Sequence, residues 1–146
     1  MTERVDFYVL KNADARARHV FACRLAEKAY LKQLGVALLA ADESQARELD
    51  ELLWTFEDQS FVPHQLLRAG DEADAHTPVC IALDPGSPPC SDLVLNLGGF
   101  EPDALQRYKR IAEILDEDGE RLRRGRERFK TYRERKIALE THQMRE

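Results

Sequence analysis

Cysteine is scarce in this chain, and long apolar runs are absent. Cys23, Cys80 and Cys90 are the three cysteines among 146 residues, and they form no CxxC pair. An odd and scattered set of this kind predicts reduced thiols, and it excludes a disulfide framework or a zinc site as the basis of the fold. No stretch approaches the roughly 20 apolar residues that span a bilayer, and residues 1–10 lack the apolar run of a signal peptide. We therefore expect a cytoplasmic protein that holds no metal and does not enter a membrane.

Glycine is missing from the place where a phosphate-binding loop would stand. Residues 5–10, VDFYVL, are rich in β-branched and aromatic side chains and predict a first strand. The link that follows, residues 11–16, contains no glycine, so it matches neither the dinucleotide-binding fingerprint nor the P-loop. Gly98 and Gly99 form a lone pair after a later apolar run, which is typical of a turn. We expect no nucleotide cofactor.

Residues with catalytic chemistry are dispersed along the sequence. The four histidines lie far apart: His19, His64, His76 and His142. None belongs to an HExxH motif or adjoins a serine or cysteine in a nucleophile motif. Acidic pairs at residues 50–51 and 116–117 lie in polar stretches, which predicts solvated carboxylates. The sequence therefore offers no catalytic residue, and we expect no intrinsic catalytic activity.

The remaining pattern alternates apolar runs with amphipathic segments. Apolar runs predict strands at residues 5–10, 36–40, 79–83, 93–97 and 110–116, and helical periodicity predicts helices at residues 13–34, 42–56 and 121–136. Residues 110–116 would also suit a helix, but their alternation favours a strand. Residues 68–78 have no period and predict an exposed loop. The alternation predicts a single α/β domain over residues 1–146, with helices flanking a mainly parallel, Rossmann-like sheet.

Positive charge is concentrated in the last predicted helix. Residues 121–136 carry nine basic and two acidic side chains, a local charge of +7, whereas the rest of the chain sums to −12. Four residues share one face at helical spacing: Arg126, Phe129, Lys130 and Arg133. Two interpretations remain open, a solvated helix with its aromatic rings turned into the core or a docking surface for phosphates or an acidic peptide. The net charge of −5 argues against general coating of nucleic acid.

Three short motifs occur in an order that resembles a known family. They are LDELLW at residues 49–54, SFVPH at residues 60–64 and RERFKTYR at residues 126–133. In order, spacing and chain length they resemble the chi subunit of bacterial DNA polymerase III over the whole chain. The resemblance implies a non-catalytic accessory subunit of the clamp loader, which binds the psi subunit and the acidic C-terminal tail of single-stranded DNA-binding protein.

The resemblance also implies roles for individual residues. It implies that Arg126, Phe129 and Lys130 help to hold the acidic tail, and that Phe61 belongs to the surface used for psi. The residue types themselves make Arg133 a further cation for the tail and Trp54 a second candidate for the psi surface, although the aromatic rings could instead be core residues. Another partner, such as a helicase, could use the same surface. The alternative function is a small nucleic-acid-binding module that uses the basic helix.

Overall fold

One parallel sheet organises the protein. The structure is a computed structural model, and it describes residues 1–58, 61–68, 71–72, 77–89 and 92–144. The elements are β1 (Arg4–Leu10), α1 (Ala15–Leu31), β2 (Val36–Leu39), α2 (Glu43–Thr55), β3 (His64–Leu67), β4 (Val79–Ala82), β5 (Leu93–Asn96), a 3-10 turn (Pro102–Leu105), β6 (Arg110–Leu115), α3 (Gly119–Glu134) and β7 (Ala138–Met144). These seven strands pair in parallel in the order β3-β4-β2-β5-β6-β1-β7. The predicted α/β class with a mainly parallel sheet is confirmed.

Each of the three α-helices in the described part of the chain begins after an aspartate. Asp14, Asp42 and Asp118 are the N-caps of α1, α2 and α3, and each carboxylate accepts a hydrogen bond from a main-chain N–H group of the first turn. The end of α1 differs from the prediction. Its last residue is Leu31, and Gln33 adopts the left-handed conformation with φ of 65°, so the chain leaves the helix before Gly35.

The sheet separates two apolar cores. Helices α1 and α2 pack on one face, and α3 and the 3-10 turn pack on the other. Strands β2, β4 and β5 are buried along their whole length, as expected for central strands of a parallel sheet that is covered on both faces. Strands β3 and β7 form the two edges. Over the ranges that the structure describes, no helix is both long and apolar enough to cross a bilayer.

The sequence patterns predicted neither of the two edge strands. Strand β3 pairs with β4 from His64 opposite Val79, and β7 pairs with β1 from Ala138 opposite Arg4. The strand favoured at residues 110–116 is confirmed as β6. Within the loop predicted at residues 68–78, positions 69–70 and 73–76 lie outside the described residues.

Two of the three cysteines are core residues. Cys23 in α1 and Cys80 in β4 are buried, and Cys90 lies outside the described residues. Burial raises the pKa of the Cys23 thiol to about 12. This thiol therefore stays protonated at neutral pH and is a poor nucleophile.

Candidate partner-binding sites

A buried polar cluster fixes how α3 sits on the sheet. Glu113 of β6 is fully buried, and Arg128 of α3 is 3% exposed. Arg128 Nε donates to both carboxylate oxygens of Glu113 at 3.2 Å, and the Tyr132 hydroxyl and Asn96 Nδ2 donate to the same carboxylate at 2.9 and 3.0 Å. Burial, and then the charge of Glu113, raises the pKa of Tyr132 above its usual value, so the hydroxyl remains a donor. Because a buried charge needs these partners, the cluster determines which side chains of α3 face outward.

An apolar groove lies where α3 approaches the sheet edge formed by β1 and β7. This groove, the α3 pocket, has a volume of about 400 Å³ and is lined by Phe7, Val9, Leu10, Lys11, Leu115, Glu117, Leu122, Gly125, Arg126, Phe129, Thr141 and Gln143. The rings of Phe7 and Phe129 meet edge to face with their centroids 5.1 Å apart. Gly125 allows α3 this close to the sheet, since a Cβ atom there would lie 2.4 Å from Leu115 Cδ1.

The predicted tail residues divide between the wall of the α3 pocket and its surroundings. Arg126 is exposed, lines the pocket and has no hydrogen bond or ion pair to any described residue. Phe129 is half-buried, so it contributes to the core and to the pocket wall together. Lys130 and Arg133 are exposed and lie outside the pocket wall. Lys11, Thr141 and Gln143 complete the wall and were not predicted, because they come from the first loop and from the unpredicted strand β7.

Ion pairs neutralise much of the positive charge of residues 121–136. Five of the nine basic side chains there contact a carboxylate: Arg121 (Asp116), Arg123 (Glu120 and Glu127), Arg124 (Glu120), Arg128 (Glu113) and Arg135 (Asp103). Asp116 is fully buried, so the prediction of a solvated carboxylate at that position was wrong. The positive potential therefore covers a smaller surface than the sequence charge indicates. It is carried by Arg126, Lys130 and their exposed basic neighbours.

A second candidate surface, the aromatic patch, consists of Trp54 and Phe61. Their side chains are 48% and 67% exposed, and the ring centroids lie 5.5 Å apart. The patch rests on a rigid support: the ring of Trp54 packs 4.5 Å from that of His64, which hydrogen-bonds to the Val62 carbonyl at 2.7 Å and to Asp50 at 3.0 Å. The prediction that His64 is a structural hydrogen-bonding residue is confirmed. Two adjoining exposed rings held in place by buried neighbours are typical of a protein-binding surface.

The two candidate surfaces lie at opposite edges of the sheet. The aromatic patch adjoins α2 and β3, and the α3 pocket adjoins β1 and β7. Six inter-strand spacings of about 4.8 Å separate β3 from β7, which is roughly 29 Å. Two partners could therefore bind the chain at the same time.

A polar cluster fastens β7 to β1. The side chains of Asp6, Glu140 and His142 each offer one potential metal-ligand atom. These atoms lie within 4.8 Å of one another, a spacing that could hold a metal ion. The Arg4 guanidinium already pairs with both carboxylates, and His142 Nε2 lies 3.1 Å from Asp6 Oδ1. Burial opposes ionisation of Asp6, but the hydrogen bonds from Arg4 and His142 hold its pKa below the usual value. The cluster is thus explained as a set of ion pairs across a strand pair.

Comparison with known families connects this geometry to DNA replication. The family described as DNA polymerase III chi subunit, HolC, matches residues 1–140. The chain belongs to this family. Its members are accessory subunits of a replicative polymerase, and the match includes the aromatic patch, α3 and the first residues of β7.

Individual relatives agree with the family assignment. The DNA polymerase III subunit chi of Pseudomonas aeruginosa is 41% identical over 97% of this chain and 96% of its own length. The chi subunits of Haemophilus influenzae and Escherichia coli are each 30% identical, over 91% and 87% of this chain and 92% and 88% of their own lengths. Among solved structures, T4 UvsW superposes with a TM-score of 0.74 at 9% identity, over 98% of this chain and 41% of that one, which shows a shared fold alone.

Proposed function

We propose that this chi-family chain links two replication proteins, binding the acidic C-terminal tail of single-stranded DNA-binding protein in the α3 pocket and the psi subunit through the aromatic patch. The observation that carries the proposal is the α3 pocket itself, in which Arg126, without a partner among the described residues, stands at the rim of an apolar groove. An acidic peptide that ends in an aromatic residue needs this combination. The two edges of the sheet then serve separate partners.

Each part of the α3 pocket suits one chemical feature of such a tail. The groove has aromatic and aliphatic walls in Phe7, Leu122 and Phe129, which suit the terminal ring of the peptide. The planar fork of Arg126 suits the terminal carboxylate, because a guanidinium can donate to both oxygens at once. Lys130 on the exposed side of α3 and Lys11 across the groove suit the aspartates.

Replacing Arg126 tests the tail site. We expect Arg126→Ala to weaken binding of a tail peptide by roughly 1.5–3 kcal/mol, the usual range for a hydrogen bond to a charged group. Folding should be unaffected, because Arg126 is exposed and has no partner among the described residues. Fluorescence anisotropy of a labelled peptide measures the affinity, and co-purification with psi should remain intact. An unchanged dissociation constant would remove Arg126 from the site.

The same assay separates tail binding from the alternative of nucleic-acid binding. Tail binding should depend on the terminal residue of the peptide, so deletion of that residue should abolish it. Binding of an oligonucleotide through phosphates alone would instead fall steeply with salt for any sequence. Competition between a labelled peptide and an unlabelled oligonucleotide distinguishes the two, and efficient displacement by the oligonucleotide would favour the nucleic-acid module.

Lys11 provides a second test, from the opposite side of the groove. It lines the α3 pocket from the loop after β1, is exposed and has no carboxylate partner among the described residues. We expect Lys11→Ala to weaken the tail peptide by about 0.2–1 kcal/mol, as for a solvent-exposed charge pair, with the difference shrinking at high salt. Lys109→Ala is the matched control. This exposed lysine precedes β6, which runs parallel to β1, so it lies at the end of the sheet opposite to the loop that carries Lys11. Equal effects of the two substitutions would show that only net charge matters.

The aromatic patch supports the psi half of the proposal by its exposure. Phe61 follows Asp58 after two residues outside the described ranges and precedes Val62, which is fully buried. The buried valine and the ring of Pro63 restrict the backbone, so the Phe61 ring is presented with little loss of entropy on binding. A surface of this kind suits a hydrophobic anchor on a partner protein.

A further inference from the structure

A further cavity lies at the carboxyl ends of β5 and β6, and it shares no lining residue with the α3 pocket or the aromatic patch. It has a volume of about 220 Å³ and is lined by Arg18 of α1, by Leu97, Gly98 and Gly99 after β5, by the N-cap Asp118, and by Glu120, Arg121, Arg124 and Arg128 of α3. Strand β1 leads into α1 on one face of the sheet, and its neighbour β6 leads into α3 on the other face. Open α/β sheets bind their ligands in the crevice at such a switch of direction.

Two arginine residues that line this cavity are almost fully buried, and each has an Nη1 atom without a partner among the described residues. Arg18 and Arg128 are each 3% exposed, and both line the cavity. Arg18 donates from Nε to the Ile114 carbonyl at 2.7 Å and from Nη2 to the Leu97 carbonyl at 3.1 Å, which leaves Nη1 without a partner among the described residues. Arg128 binds Glu113 through Nε and Nη2, and its Nη1 lies beside Gly99, 3.9 Å from where a Cβ atom would stand.

Arg18 makes no direct ion pair with a described residue, in contrast to the arginines around it. Arg121, Arg124 and Arg128 each contact a carboxylate, respectively of Asp116, Glu120 and Glu113. Asp118 accepts the capping hydrogen bond of α3. Arg18 bonds only to main-chain oxygens. Burial and the nearby charge of Arg121 lower its pKa to about 10, against the opposing charges of Asp116 and Glu113. It remains protonated at neutral pH, so a bound anion would give this guanidinium a direct ion pair.

We propose that this cavity binds a phosphate group, as inorganic phosphate or as the terminal phosphate of a nucleotide. Guanidinium groups reach the cavity from α1 and from α3, so they can meet oxygens that point in several directions, as in a tetrahedral anion. A single fork would satisfy a planar carboxylate. Gly99, with φ of 73°, adopts a left-handed conformation that favours glycine, and it forms the wall beside Arg128. The volume of about 220 Å³ is large enough for one phosphate group, with the rest of a nucleotide outside.

A titration of the full chain followed by phosphorus NMR tests the site. We expect inorganic phosphate to bind at constant ionic strength, and Arg18→Met to weaken it about tenfold or more, the equivalent of losing a charged hydrogen bond. Arg124→Gln at the exposed rim should weaken binding with no effect on folding, and it decides the question if the Arg18 variant does not fold. Arg126→Ala tests whether the anion binds in the α3 pocket instead, because this arginine lines that pocket and not the phosphate cavity.

The outcomes separate the possible ligands and keep this site distinct from the tail site. Tighter binding of ADP than of inorganic phosphate would identify a nucleotide as the source, and equal binding would identify the free ion; both support the site. Equal binding of acetate and phosphate would overturn the proposal, and so would wild-type affinity in both the Arg18 and Arg124 variants. Loss of phosphate binding in Arg126→Ala would move the anion to the α3 pocket and overturn the third site, while leaving tail binding to be judged by its own peptide assay.

Discussion

Replacement of Arg128 by alanine should reduce the free energy of unfolding by about 3–5 kcal/mol, because it leaves the carboxylate of Glu113 buried without its cationic partner. Arg126→Ala, two residues away, should change the free energy of unfolding by less than about 0.5 kcal/mol, because that side chain is exposed. Urea denaturation of the two variants beside wild type measures the contrast. Two arginines of one basic motif thus have opposite roles, one in the fold and one in the proposed tail site.

A double substitution provides the control for the Arg128 prediction. Arg128→Met combined with Glu113→Gln removes both charges, so it should recover a large part of the stability lost in Arg128→Ala. The Tyr132 hydroxyl and Asn96 can still donate to the remaining amide oxygen. Similar stability of Arg126→Ala and Arg128→Ala would contradict the assignment of Arg128 to the fold.

Truncation of Phe61 should have the largest effect on partner binding. We expect Phe61→Ala to weaken the psi complex by about 2–4 kcal/mol, as for an aromatic anchor at the centre of an interface. The melting temperature of the isolated chain should hardly change, since the side chain is 67% exposed and little apolar contact is lost. Isothermal calorimetry with psi and thermal denaturation of the isolated variant provide the two measurements.

The neighbouring residue supplies a matched control for Phe61. Val62 is fully buried, so Val62→Ala should lower the melting temperature by creating a cavity. Affinity for the tail peptide reports whether α3 remains folded in each variant, because the α3 pocket lies at the other edge of the sheet. A large drop in melting temperature for Phe61→Ala, or an unchanged affinity for psi, would remove Phe61 from the interface.

The interior of the sheet was predictable from sequence, whereas its edges were not. Strands such as β2 and β4 are short apolar runs because both of their faces are buried. Strand β7, with the sequence ALETHQM, is half-exposed and mostly polar, so it lacks both an apolar run and a clear alternation. Strand β3 is only partly buried and follows Pro63, a residue that interrupts the sequence pattern from which a strand is predicted. Their pairing is specified by the neighbouring strands in the fold.

The sites show the same division between local pattern and tertiary context. The exposed face with Arg126 and Lys130 follows from helical spacing, and its place on α3 agrees with the structure. The burial of Arg128 depends on Glu113, which is distant in sequence, so no local signal distinguishes the two arginines. Whether Phe61 is exposed likewise depends on the packing of α2 and β3.

The parallel pairing of β1 with β7 gives the chain a definite order of assembly during synthesis. Residues from the first strand, from α3 and from the last strand all contribute to the α3 pocket. A nascent chain that has not yet emerged past residue 138 has an unpaired β1 edge and lacks the wall formed by Thr141 and Gln143. The proposed tail site is therefore completed late in translation, after the residues of the surface proposed for psi have already been made.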